Sequence, residues 1–248
     1  CASVETGRSD GELREQAKSE LEAALDHVAR SRVETIRRLM RAVELRDDET
    51  GGHIERIGDL SARLGQAVGM ADADVELLRL AAPMHDVGKM VCLDTVNLFQ
   101  RMLFSDEFEL IKLHPAMGRD ILVGRASTRP YAYAALYHHK WYDDKGGYPS
   151  DVSYMGVENA ILYQIITCSD CIDAATDAVG RTYISGKTID DMVTDMRINE
   201  GRMFNPDLVG LFSDKKLYSR VEELVTRERE STYYSVFNRA EREARQNA

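Results

Sequence analysis

What this chain has little of narrows its fold first. Only five prolines interrupt 248 residues, and runs that alternate apolar with polar residues are few, so nearly every segment reads as helix and the fold class is all-α. Four cysteines are too few for a disulfide framework in a chain of this length, which favours a reducing compartment, the cytoplasm. No apolar run is long enough to span a bilayer, so no membrane partner is expected of this fragment. Excess positive charge is also missing. A formal net charge of -10 argues against broad binding to duplex nucleic acid, which needs a basic footprint. It does not exclude a phosphate-bearing small ligand, because carboxylates that hold divalent cations become locally positive once loaded. The first residue is Cys1 rather than methionine, so the chain reads as a piece of a longer protein, with an upstream sensor domain or a nucleotide-cyclase partner as candidate neighbours.

What is present is the balance of a globular protein, 44% hydrophobic and 30% charged, long enough for one large core with an attached arm. Residues 1–46 form the arm, a signalling or linker helix. In it Leu13, Ala17, Leu21, Ala24, Val28, Thr35 and Leu39 recur at spacings of three, four and seven, a narrow apolar seam on a charged helix. That seam suits a helix packed on its own domain and a coil joining two protomers as a homodimer equally well. Residues 47–248 form the main domain. Its apolar spacing predicts a helix from His53 through Leu64, a helix from Val75 to Met84 capped by Asp72 or Asp74, and one from Ser105 to His114 that meets Pro115. Further helices are expected to carry His138 and His139, to run from Glu158 to about Val179, and to start at Thr188.

Six histidines occur, and five of them, His53, His85, His114, His138 and His139, lie at or beside predicted helix ends. His85-Asp86 and His138-His139 are adjacent pairs. Neighbours on a helix diverge by about 100°, so both members of a pair can ligate only around a shared cluster or at a distorted helix end. Two or more metals with Asp86 bridging satisfy that geometry. Imidazole and carboxylate without thiolate suit iron, manganese, zinc or a related transition metal rather than calcium. His27, in the charged arm, reads as a surface residue. Cys168 and Cys171 read as packing in an apolar helix rather than as a redox or zinc pair, and Met192 and Met196 as helix core.

These segments, taken in order, resemble the HD-GYP family, a branch of the HD-domain metal phosphohydrolases. His53-Ile54-Glu55-Arg56 is similar to its first histidine segment and His85-Asp86-Val87-Gly88-Lys89 to its HD motif. His114-Pro115-Ala116-Met117-Gly118 matches the next ligand segment, and His138-His139 followed by Gly147-Tyr148-Pro149 matches the signature behind the family's name. Asp170, followed by Asp173-Ala174, resembles the last ligand. The resemblance runs over residues 41–212. It implies an HD-domain helical bundle holding two or three divalent metals, iron first and manganese next. His53, His85, Asp86, His114, His138, His139 and Asp170 are the implied ligands, and Glu49 stands where family members with a third metal place an extra glutamate.

The implied activity is hydrolysis of cyclic di-GMP to linear pGpG, GMP or both. Lys89, Tyr148 and Arg181 fall on the substrate-contact positions, with Gly147 in the same segment. Ile184 stands where the family usually has a basic residue, which bears on substrate grip and base preference. Two cations lower the pKa of a water held between them and neutralise the non-bridging phosphate oxygens. The nucleophile is expected near Asp86 and Asp170, with Lys89 against a phosphate oxygen. Two other readings are cyclic GMP-AMP as the substrate, and a catalytically weak receptor or cyclase-docking module.

Overall fold

The structure is a computed structural model, and it describes residues 10–44, 52–92, 104–124, 128–177 and 186–226. Glu49, Arg181 and Ile184 lie outside them. The chain divides between Leu39 and Met40 into two compact units. The first consists of most of α1 (Asp10–Glu44). Its seam residues Leu13, Leu21, Val28 and Leu39 are exposed, as is His27, and its surface carries i,i+4 pairs such as Arg38 with Glu34, worth a few tenths of a kcal/mol each.

Among its described residues the second unit consists of helices joined by turns and loops, with no strand and only isolated bridges at Lys140–Gly147 and Glu200–Phe204. At its centre α2 (His53–Ala67) and α8 (Ala160–Thr176) pack together, with α3 (Asp72–Ala81) against α2. Ile57, Leu60 and Leu64 recur at three and four along α2 and are fully buried, as are Leu78 of α3 and Ile165 of α8. Each such side chain contributes about 1.5–3 kcal/mol by leaving water. Met192 and Met196 of α9 (Ile189–Ile198) join this core. Thr188 starts α9 as expected, accepting from the Asp191 N–H while the Asp191 side chain returns to the Thr188 backbone. Beyond it lie α10 (Pro206–Leu211) and a helical stretch over 215–226.

Three helix boundaries differ from the expected ones, and each difference turns a histidine. The third helix begins at Asp72 after an Ala71 cap without a side-chain bond, so Asp72 and Asp74 act on the helix dipole rather than as caps. It also stops at Ala81, because Pro83 lacks an N–H and crowds the preceding turn; a 3₁₀ turn, Ala82–Met84, follows and delivers His85. The helix expected over 105–114 breaks into α5 (Ser105–Ile111) and α6 (His114–Leu122), with Pro115 in the first turn of α6. Finally, α7 (Arg129–Tyr137) ends before His138, which is its C-cap, so His139 lies past the helix. The short α4 (Lys89–Cys92) follows the His85-Asp86 pair after two residues, Val87 and Gly88.

Cys168 is fully buried on α8, and burial pushes its thiol up to about 12. A group so rarely ionised is a poor nucleophile. In the folded protein Cys168 is therefore expected to resist iodoacetamide at pH 8 while Cys171, which is partly exposed, is modified first. Peptide mass spectrometry over time reads the order, and prompt labelling of Cys168 would contradict the packing described.

Candidate metal centre

The helix ends converge on Asp86. Its Oδ1 lies 3.0 Å from His114 Nε2 and 3.5 Å from His138 Nε2, while its Oδ2 lies 3.0 Å from His85 Nε2 and 2.8 Å from Lys89 Nζ. Ligand atoms fall into two sets that share this carboxylate. One comprises Asp86, His114, His138 and His139, the other His53, His85 and Asp86, with the atoms of each set within 4.8 Å of one another.

The turns that break the helices fix the imidazole tautomers. His85, His114 and His138 each place Nδ1 on the carbonyl oxygen three residues earlier: Ala82 at 2.8 Å, Ile111 at 2.6 Å and Ala135 at 2.8 Å. A carbonyl only accepts, so Nδ1 carries the proton and the Nε2 of the neutral ring offers a lone pair. Lone pairs therefore face one another: His114 Nε2 and His138 Nε2 stand 3.0 Å apart with Asp86 Oδ1 beside them. His85 Nε2 and Asp86 Oδ1 are buried without a hydrogen bond. Converging acceptors with no hydrogen between them are costly to bury unless a cation sits among them, so this donor set fits divalent metals.

The electrostatics agree at two of the rings; at His85 burial lowers the imidazole, but the charges of Asp86 and Asp170 outweigh it and raise it, so in the metal-free site this ring takes up a proton more readily than His138 or His139. Burial, and then the like charge of neighbouring rings, holds His139 well below the usual histidine range, and burial above all brings His138 down to about 4. Both rings are neutral at neutral pH and able to offer a lone pair. Burial alone would raise the Asp86 carboxyl, but the charges of His85 and Lys89 and the nearby His114 and His138 outweigh it and hold it well below the carboxylate range.

Asp170, on α8, stands beside this cluster with Oδ1 3.7 Å from His85 Nε2 and belongs to neither ligand set. Lys89, expected on a substrate phosphate, is ion-paired with Asp86 from the next turn. His53 enters from the first turn of α2 and, unlike the three rings held by carbonyls, rests on a carboxylate. Its Nδ1 lies 2.7 Å from Asp173 Oδ2, and Arg56 binds the same carboxylate at 2.7 and 3.1 Å. Sequence reasoning assigned no role to Arg56 or Asp173. The available signal was spacing, since Arg56 follows His53 by three on α2 and Asp173 follows Asp170 by three on α8.

The Gly-Tyr-Pro segment folds back onto the cluster. Tyr148 N–H donates to the His139 carbonyl at 3.2 Å, and the Tyr148 ring lies 4.4 Å from that of His139. Gly147 makes this possible: its φ is +75°, and a Cβ there would sit 2.0 Å from the His139 carbonyl oxygen. Burial, and then the charges of Asp86 and Asp170, raise the Tyr148 phenol, so it remains a hydrogen-bond donor. Beside it opens a cavity of about 620 Å³ lined by residues including Phe108, Lys112, His139, Trp141 and Tyr148.

With this geometry the sequence matches known proteins consistently. The HD-domain profile covers residues 50–175, about half of the chain, and the chain belongs to the HD domain family. It is 31% identical over 215 residues to the cyclic di-GMP phosphodiesterase response regulator RpfG of Xanthomonas campestris, covering 84% of this chain and 56% of that protein. It is 31% identical over 191 residues to a cyclic di-GMP phosphodiesterase of Thermotoga maritima, covering 75% of this chain and 50% of that one. Identity is again 31%, over 182 residues, to the 3'3'-cGAMP-specific phosphodiesterase 2 of Vibrio cholerae, covering 72% of this chain and 34% of that protein. The chain thus spans about half the length of the first two relatives. Among the described residues, no helix is long and apolar enough to cross a membrane.

Proposed function

We propose that this chain is a metal-dependent phosphodiesterase that hydrolyses cyclic di-GMP to linear pGpG, GMP or both. The observation that carries the reading is the set of converging acceptors around Asp86, with His114 Nε2 and His138 Nε2 3.0 Å apart. His53, His85, Asp86, His114, His138 and His139 would hold at least two divalent cations, iron or manganese by donor chemistry, with Asp170 beside them and Glu49 as the ligand that would add a third. Bound there, such cations supply an activated water and neutralise the phosphate. The protein's own groups then orient the substrate. Tyr148 donates a hydrogen bond from a phenol that stays protonated, and the cavity next to it is of a size to take one nucleotide half. Lys89 would approach a non-bridging oxygen, with Gly147 and, by the sequence resemblance, Arg181 as further substrate contacts. Free thiols at Cys92, Cys168 and Cys171 support a cytoplasmic setting.

Cyclic GMP-AMP is the second reading, favoured by the 31% identity to a relative named for it. Turnover of cyclic di-GMP, cyclic GMP-AMP and cyclic di-AMP by anaerobically metal-loaded protein tests both. Faster loss of cyclic di-GMP supports the first reading, faster loss of cyclic GMP-AMP replaces it with the second, and intact substrates with measurable binding make the domain a receptor. Lys89→Ala is expected to reduce kcat/KM about ten- to a hundredfold, the worth of a charge-assisted hydrogen bond, with metal content unchanged. If the metals leave with it, Lys89 serves Asp86 rather than substrate.

A further inference from the structure

The four buried histidines with a defined Nδ1 partner are not held alike. His85, His114 and His138 rest on backbone carbonyls, whereas His53 rests on Asp173, which Arg56 grips through both carboxylate oxygens. All three members of this chain are essentially buried: Arg56 is 0%, Asp173 1% and His53 4% exposed. Removing an ion pair from water is costly, and a helical bundle can bury apolar residues at such positions more cheaply. The pair links α2 to α8 at the place where each helix contributes to the centre, His53 from one and Asp170 from the other.

We infer that Arg56 and Asp173 are positioning residues that make the two halves of the metal centre unequal, selectively strengthening the cation position served by His53, His85 and Asp86. The inference rests on the proposed metal-binding reading. A carboxylate behind an imidazole makes the ring a stronger donor and fixes its orientation more firmly than a neutral carbonyl does. Arg56 keeps Asp173 ionised and directed at His53, and with both oxygens engaged Asp173 acts through His53. The other set, Asp86 with His114, His138 and His139, contains no member of this relay, so the relay reaches it only through the shared Asp86 and its affinity depends on the relay far less.

The test is anaerobic titration of the metal-stripped full 248-residue chain with Mn²⁺, counting free ion by electron paramagnetic resonance. Asp173→Asn removes the carboxylate charge and keeps its shape. The double variant Arg56→Met with Asp173→Leu replaces the pair by apolar side chains, so no buried charge is stranded if the single variant fails to fold. In each folded variant one equivalent is expected to weaken about ten- to a hundredfold, while the other stays within about twofold of wild type and the helical circular dichroism is retained. Wild-type affinity for both equivalents in either folded variant, or equal weakening of both, overturns the inference. Wild-type protein that takes up no Mn²⁺ overturns instead the metal-binding reading on which it rests.

Discussion

Asp86→Asn is expected to strip the metals and lower turnover by at least about a thousandfold, roughly 4 kcal/mol on the barrier. The size follows from position. Asp86 is common to both ligand sets, and its two oxygens face His85, His114 and Lys89 within 3.0 Å. An amide at this point is neutral and turns one of the two oxygens into an N–H₂ donor. If that donor faces His114 and His138, it satisfies their lone pairs internally, and these no longer converge as acceptors on a cation. The variant is therefore expected to be folded and metal-poor rather than unstable. Metal analysis beside a turnover assay checks it, and normal metal content with normal turnover would remove Asp86 from the centre.

Gly88→Ala is expected to have the largest effect on stability. A Cβ at Gly88 would stand 1.9 Å from the His114 carbonyl oxygen and 2.6 Å from the Gly118 nitrogen. Both are backbone atoms, so no rotamer change relieves the overlap and the first turns of α4 and α6 have to separate. Overpacking of this kind costs about 3 kcal/mol, a fall of about 6–12 °C in Tm for a domain of this size. Because the atom displaced belongs to His114, metal affinity is expected to fall with stability. Thermal melts of the stripped and loaded protein separate the two losses. A variant that melts with wild type and holds its metals would show that this close approach is not needed.

Much of this was legible in residue spacing, and the exceptions have physical causes. The apolar rhythm of Ile57, Leu60 and Leu64 announces α2, and Thr188 with Asp191 announces the start of α9, because both are local patterns. If both members ligate, the adjacent pairs His85-Asp86 and His138-His139 call for a shared cluster or a distorted helix end, and the helices do end at both points. The boundaries differ by a few residues, since Pro83 ends α3 at Ala81 and leaves a 3₁₀ turn before His85, while Pro115 opens α6 in its first turn, one of the two roles its position allows. The relay of Arg56 and Asp173 depends on two helices distant in sequence meeting side by side. The spacing of three from His53 and from Asp170 places both residues near the centre, but it does not by itself separate such an arginine from a solvated one. The role of Gly88 is hidden for the same reason, as its neighbour is the backbone of His114, 26 positions along the chain. The expectations for Glu49, Arg181 and Ile184 fall outside the described residues and stand as sequence readings.

The most direct test of the central claim is hydrolysis of cyclic di-GMP followed as metal is returned to stripped protein under anaerobic conditions. The expected result is negligible turnover without metal, activity that rises with added Fe²⁺ or Mn²⁺ and levels off at two or three equivalents per chain, and linear pGpG as the first product. Full activity in the presence of chelator, or intact cyclic di-GMP and cyclic GMP-AMP at metal saturation, would contradict it.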